Sequence, residues 1–97
     1  MTYLQHFKDR YPYAEQIGLK QMAVIRDSRD NFILFSYYTP VGYNQNDVWY
    51  ITNQRYSVTT SKQISLFSRN HEVQSIPHDQ FVETMRNLGY GGLGWNS

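Results

Sequence analysis

The chain predicts an α+β domain: a small antiparallel sheet of three or four strands with two or three helices packed on one face. Three observations carry this. Ninety-seven residues suffice for one hydrophobic core and not for two. Apolar residues recur at helical spacing near both ends of the chain and at strand-like density between residues 22 and 52. Polar turn clusters separate the strand-like runs with no helix-length segment between them, which favours an antiparallel meander over parallel crossovers.

Taken in order, Tyr3, Leu4, Phe7 and Tyr11 follow helical spacing over residues 1–11, with Thr2 as N-cap and Pro12 as the stop. So short a helix is marginal alone and must dock its aromatic stripe on something. Residues 13–20 read as a connection in which Gly18 gives backbone freedom. Met22 to Ile25 forms a first strand and the polar cluster Asp27–Asn31 a turn. Phe32 to Tyr43 reads as one long second strand, with an edge, bulge or bend at Pro40, whose nitrogen has no hydrogen for a ladder. Asn44–Asp47 is a second turn and Val48–Thr52 a third strand, completing a meander over residues 22–52.

The second half changes period. A helix over residues 59–70 follows from Ile64, Leu66 and Phe67, capped by Thr59 or Thr60 and closed by Asn70 in a left-handed conformation. Glu72–Ile76 offers a short edge strand. Phe81, Val82, Met85 and Leu88 then mark a helix over residues 78–88 that stops at Gly89. The tail, residues 89–97, holds too many glycines for a regular element and reads as a flexible or docking segment. With no linker and no repeat, residues 1–97 form a single domain.

Composition narrows the function classes. Nine Lys and Arg against eight Asp and Glu give a net charge of +1, which argues against a cationic nucleic-acid coat, a polybasic membrane binder or an acidic DNA mimic. The absence of cysteine removes disulfides, Cys-ligated zinc and a thiol nucleophile together. The N-terminus lacks the apolar core of a secretory signal, and the longest apolar run, FILF, is far short of the ~20 residues of a membrane span. A cytoplasmic protein is therefore expected.

Two segments resemble a small domain of unknown function frequent in bacteriophage and mobile-element proteins. They are Phe35-Ser36-Tyr37-Tyr38-Thr39-Pro40-Val41 and, after Trp49-Tyr50-Ile51-Thr52, Tyr56-Ser57-Val58-Thr59-Thr60-Ser61-Lys62-Gln63. The pattern runs S-Y-x-T-x-V, a turn, a strand, then Y-S-x-T-T-S-K-H opening a helix; Gln63 stands where the histidine is usual. The resemblance covers about residues 32–70. It implies a phage or mobile-element origin, no particular activity, and a structural role for the motif. The hydroxyls of Ser57, Thr59, Thr60 and Ser61 suit the unbonded N–H groups of a helix start. An anion near Thr59–Ser61 and Lys62 is the functional reading of the same atoms.

No chemistry-bearing constellation stands out. Ser61 and Lys62 are adjacent and point apart on a helix. His71, Glu72, His78 and Asp79 have no spacing that requires convergence on a metal. Asp27 and Asp30 belong to a turn, where aspartate bonds its own backbone. A non-enzyme without metal or cofactor is expected.

Aromatic content is the unusual feature of the composition: nine Tyr, five Phe and two Trp. Half of these side chains fill a core, leaving Tyr37, Tyr38, Tyr43, Trp49 and Tyr50 as candidates for an exposed aromatic surface. The first function expected is a protein-binding module: a phage-encoded accessory protein that docks on and blocks a host protein, as anti-CRISPR and host-takeover factors do. Its partner-binding residues would be Tyr37, Tyr38, Trp49, Tyr50, Arg55, Lys62 and Arg69, with Arg26 and Arg29 at the rim. The alternative is single-stranded nucleic-acid binding, with Tyr37, Trp49 and Tyr50 as stacking platforms and Arg55, Lys62 and Arg69 on phosphates. Homo-oligomerisation through the aromatic surface comes third.

Overall fold

Apolar residues run without alternation through Met22-Ala23-Val24-Ile25 and Ile33-Leu34-Phe35, and all but Val24 are at most 1% exposed. A strand that buries both its odd and its even residues must be covered on both faces. The computed structural model, which describes residues 3–17, 21–54 and 58–90, shows how. Its elements are α1 (Tyr3–Lys8), β1 (Glu15–Ile17), β2 (Met22–Arg26), β3 (Phe32–Ser36), β4 (Thr39–Gln45), β5 (Val48–Thr52), α2 (Val58–Asn70), β6 (Val73–Ile76) and α3 (His78–Asn87).

Among the described residues the strands form one six-stranded sheet in the order β1-β2-β3-β4-β5-β6. The first five strands are an antiparallel meander, and β6 lies parallel to β5. Helix α2 supplies the crossover that a parallel pair requires. The expected three or four antiparallel strands are therefore six in a mixed sheet. The segment read as a connection contains β1, and the long second strand is the hairpin β3–β4. Its turn is Tyr37-Tyr38, with Tyr37 at φ 54°. Pro40 sits where the β3–β4 register shifts, so its missing N–H falls at a bulge. The β4–β5 turn is Asn46-Asp47, both at positive φ (55° and 66°), the conformation a two-residue hairpin needs to match strand twist.

Helices cover both faces, not one. On the first face α1 and α3 bury Phe7, Phe81 and Met85 against Ala23, Ile25, Ile33, Phe35 and Tyr43. On the second, α2 lays Phe67 and Ile64 over Met22, Leu34, Val41, Trp49 and Ile51. Gly42 belongs to this second face. A β-carbon there would meet the tip of the Ile51 side chain and approach the Tyr50 carbonyl oxygen to 3.2 Å, so even alanine would turn the Ile51 side chain aside and crowd the β5 backbone.

The β2–β3 turn is tied to the far end of the chain. The Asp27 carboxylate accepts the backbone N–H groups of Arg29 and Asn31 (both 2.9 Å), the Asn31 amide (3.0 Å) and the Tyr90 hydroxyl (2.8 Å). Burial pushes the Asp27 carboxyl up, but these donors outweigh it and hold it below the usual aspartate value. Arg29 donates to the Leu88 carbonyl at 2.6 Å. Gly89, at φ 93°, turns the chain so that Tyr90 is buried. Tyr90 is thus a docked element within the tail; residues 91–97 lie outside the described residues, as do Thr2 and Gly18. Asn70 is not left-handed: it stays helical, and its side-chain amide donates to the Leu66 carbonyl.

Candidate functional site

The two sequence segments singled out above meet in space. Ser36 ends β3 facing α2, and it is 3% exposed, as is Gln63; Thr60 is 5% exposed. The Ser36 hydroxyl donates to Gln63 Oε1 at 2.9 Å and lies 3.1 Å from Thr60 Oγ1. A hydroxyl has one hydrogen, so Thr60 is the donor to Ser36, and the chain runs from Thr60 through Ser36 to Gln63. Thr60 is therefore a buried link between helix and sheet, not a surface cap. Ser57 and Tyr56, and the side chain of Thr59, lie outside the described residues.

The proposed contact residues separate into distinct locations. Tyr37 and Tyr38 project from the β3–β4 turn, 39% and 50% exposed. Tyr38 packs its ring against Tyr3, His6 and Phe7, with centroids 5.6, 4.6 and 6.1 Å away. Tyr3 also donates its hydroxyl to the Tyr37 carbonyl at 2.6 Å. Burial, then the neighbouring Tyr38 and Tyr37, pushes the Tyr3 phenol far above its ordinary pKa, so it stays a donor. Helix α1 docks by this aromatic stripe, and the turn is held from beneath.

Trp49 is 7% exposed, edge-on to Phe67 at 5.1 Å beneath α2. Tyr50 faces the opposite side of the sheet and stacks on Tyr43 at 5.3 Å. Adjacent strand residues alternate faces, so Trp49 and Tyr50 form no common platform. Tyr43 is 8% exposed and belongs to the core. Lys62 and Arg69 are exposed on α2, while Arg55 lies outside the described residues. The two rim arginines are engaged internally: Arg29 on Leu88, and Arg26 in an ion pair with Asp30 at 2.6 Å.

Sequence reasoning missed a slot of about 320 Å³ between α2 and the β1–β2 side of the sheet. Its floor is Met22, Val24 and Trp49, and its helical wall is Leu66 and Phe67. The His71 ring stacks on Phe67 at 4.1 Å, nearly parallel at 12°. His71 Nδ1 lies 3.0 Å from the Phe67 carbonyl. A carbonyl only accepts, so Nδ1 carries the proton and ties down the end of α2. Phe67 and His71 stand four residues apart across the C-terminal end of α2, a spacing readable in the sequence. Gln63, Asn70 and Glu15 supply the remaining polar edge.

His78 is a structural residue of the α3 start. Its ring Nδ1 lies 2.8 Å from Thr52 Oγ1, and the His78 backbone N–H donates to Asn53 Oδ1 at 3.0 Å. Among the described residues no His, Asp or Glu group is arranged to hold a metal ion, and no helix is long and apolar enough to cross a membrane.

A family model described as a family of unknown function (DUF8033) matches residues 7–83. No curated protein and no solved structure matches the chain.

Proposed function

The chain belongs to the DUF8033 family, whose function is unknown, and from that premise we propose that it is a non-enzymatic accessory protein of a phage or mobile element. In this reading it acts in the host cytoplasm by binding and inhibiting a host protein, as an anti-CRISPR or host-takeover factor does. One observation carries the proposal. At the β3–β4 turn a bulky residue, Tyr37, occupies left-handed backbone (φ 54°) beside exposed Tyr38. Glycine or asparagine adopts that conformation at lower cost, and strained residues collect where a side chain is needed for contact. Two tyrosines on a turn held by Tyr3 lose little entropy on binding, which suits them as anchors. The nucleic-acid alternative needs Tyr37, Trp49 and Tyr50 on one open face, and these three residues occupy separate places.

The test is a pull-down from bacterial lysate with the tagged full chain, with and without nuclease, beside a Y37S/Y38S variant of unchanged circular dichroism. A stoichiometric protein that survives nuclease, is lost with the variant and is inhibited by the wild-type chain is the expected result. Nucleic acid that disappears with nuclease, taking bound proteins along, would overturn it. A captured protein indifferent to both tyrosines would also sink the turn as the anchor.

A further inference from the structure

Strand β1 is the outermost strand on its side of the sheet; among the described residues it pairs only with β2. Its outer edge therefore presents backbone groups to which another strand can add. The slot beneath α2 reaches this edge, since Glu15 and Ile17 of β1 both line it. Glu15 pairs with Val24 and Ile17 with Met22, so both share the sheet face that α2 leaves open beside Trp49. A strand added outside β1 would set alternate side chains next to Glu15 and Ile17, on the slot side.

The lining selects what such a side chain must be. Ile17, Met22 and Val24 offer an apolar surface for a stem. Among the described residues that line the slot, Glu15 is the one carboxylate and no Lys or Arg joins it. A long aliphatic stem with a cationic end is the complement: the stem covers apolar surface while the charge remains at the rim. Arginine also meets a carboxylate with two parallel hydrogen bonds and lies flat on aromatic rings.

We propose that the free edge of β1 and the adjoining slot form a docking site for an extended segment of a partner protein, which pairs with β1 and inserts a basic side chain against Glu15. Backbone pairing would supply generic affinity and the slot the side-chain preference. The site is separate from the Tyr37–Tyr38 turn and rests on the protein-binding reading only in taking a protein as its occupant.

The probe is the acetylated, amidated pentapeptide Thr-Val-Arg-Val-Thr, titrated into the 15N-labelled full chain. The expected result is saturable movement of the Gln16 amide and the Trp49 indole N–H. A norleucine-for-arginine peptide should bind about fivefold more weakly, the upper range for a partly exposed ion pair. Glu15→Gln should weaken the arginine peptide by the same factor and leave the norleucine peptide unchanged. Equal binding of both peptides, or no movement of those two signals, overturns the proposal. Blocked single arginine binding as tightly as the pentapeptide also overturns it, because the strand would then be irrelevant. Y37S/Y38S should leave the titration unchanged, so failure of this site and failure of the turn are read separately.

Discussion

The two faces of the sheet are built from the same strands and closed to different degrees. The first face has a helix from each end of the chain, and aromatic rings join both to the strands: Phe7 lies 4.9 Å from Phe35, and Tyr43 lies 6.1 Å from Phe81. Among the described residues the second face has α2 alone. Val24, on that side, is only partly buried, whereas its neighbours Ala23 and Ile25 are fully buried on the other. What distinguishes the faces is the number of helices laid over six strands, because the strand residues are nearly as apolar on either side. One helix is too narrow to cover the sheet, and the uncovered remainder is the slot. The same face carries the buried Thr60–Ser36–Gln63 chain, which fixes α2 in register at polar atoms as well as by packing.

The largest expected difference between the faces is in the cost of a cavity. Phe81 is 0% exposed, and Phe81→Ala should cost about 4 kcal/mol, the upper range for a buried ring. Phe67 is nearly as buried, at 5% exposure, but one side of it borders the slot. Phe67→Ala should cost only about 2 to 3 kcal/mol, since water and neighbouring side chains can relax into the space. Urea unfolding of the two variants measures both. Equal losses would mean that the second face is as tightly closed as the first.

Next in size is the tie beneath the first face. Asp27→Ala removes the acceptor of four hydrogen bonds and should cost about 2 kcal/mol. The pH dependence has a definite sign. Folding lowers the Asp27 pKa, so its stabilisation is fully present above the unfolded value of about 4 and is lost as pH falls through the lower folded value. Thermal unfolding followed downward from about pH 6 should fall more steeply in the wild type than in Asp27→Asn. Parallel curves would show that the Asp27 carboxylate adds no pH-dependent stability through its four donors.

How much of this was legible follows from the same contrast. Helix α3 was readable because Phe81, Val82, Met85 and Leu88 keep helical spacing and Pro77 precedes them. The two-sided sheet was also written in the sequence: unbroken runs such as Met22 to Ile25 signal strands buried on both faces. Helices packed on one face only, as expected from the element order, leave the other side of such runs uncovered. Strand β1 escaped notice because Glu15-Gln16-Ile17 is three residues long and mostly polar, as an exposed edge is. The β3–β4 turn was hidden because Tyr37-Tyr38 has strand-forming residues where glycine or asparagine normally mark a reversal. The slot was illegible for a different reason. It exists only once β1, β5 and the end of α2 are brought together, and no local pattern encodes that meeting.

The polar chain on the second face should be worth less than either core change. Ser36→Ala removes the hydroxyl that accepts from Thr60 and donates to Gln63, and should cost about 1 to 1.5 kcal/mol. Because Gln63 also lines the slot, the variant should shift the Trp49 indole resonance while leaving the Phe81 ring signals in place. A loss confined to stability, without that shift, would separate the polar chain from the slot.

The smallest effect is expected at the turn where β3 ends, and its sign is opposite to the others. Left-handed backbone costs a residue with a β-carbon about 1 to 2 kcal/mol, and asparagine bears it more easily. Tyr37 keeps two backbone ties that do not depend on its ring. Its N–H donates to the Gln21 carbonyl at 2.7 Å, and its carbonyl accepts from Tyr3. Tyr37→Asn should therefore retain the turn and stabilise the fold by about 0.5 to 1 kcal/mol, read as a higher urea midpoint. Partner capture by the same variant should weaken, because the ring projecting into solvent is gone. A gain in stability with capture intact would leave Tyr38 as the anchor and Tyr37 as a strained turn residue. A loss of stability would mean that the ring itself packs on the turn, removing the reason for assigning it to a partner.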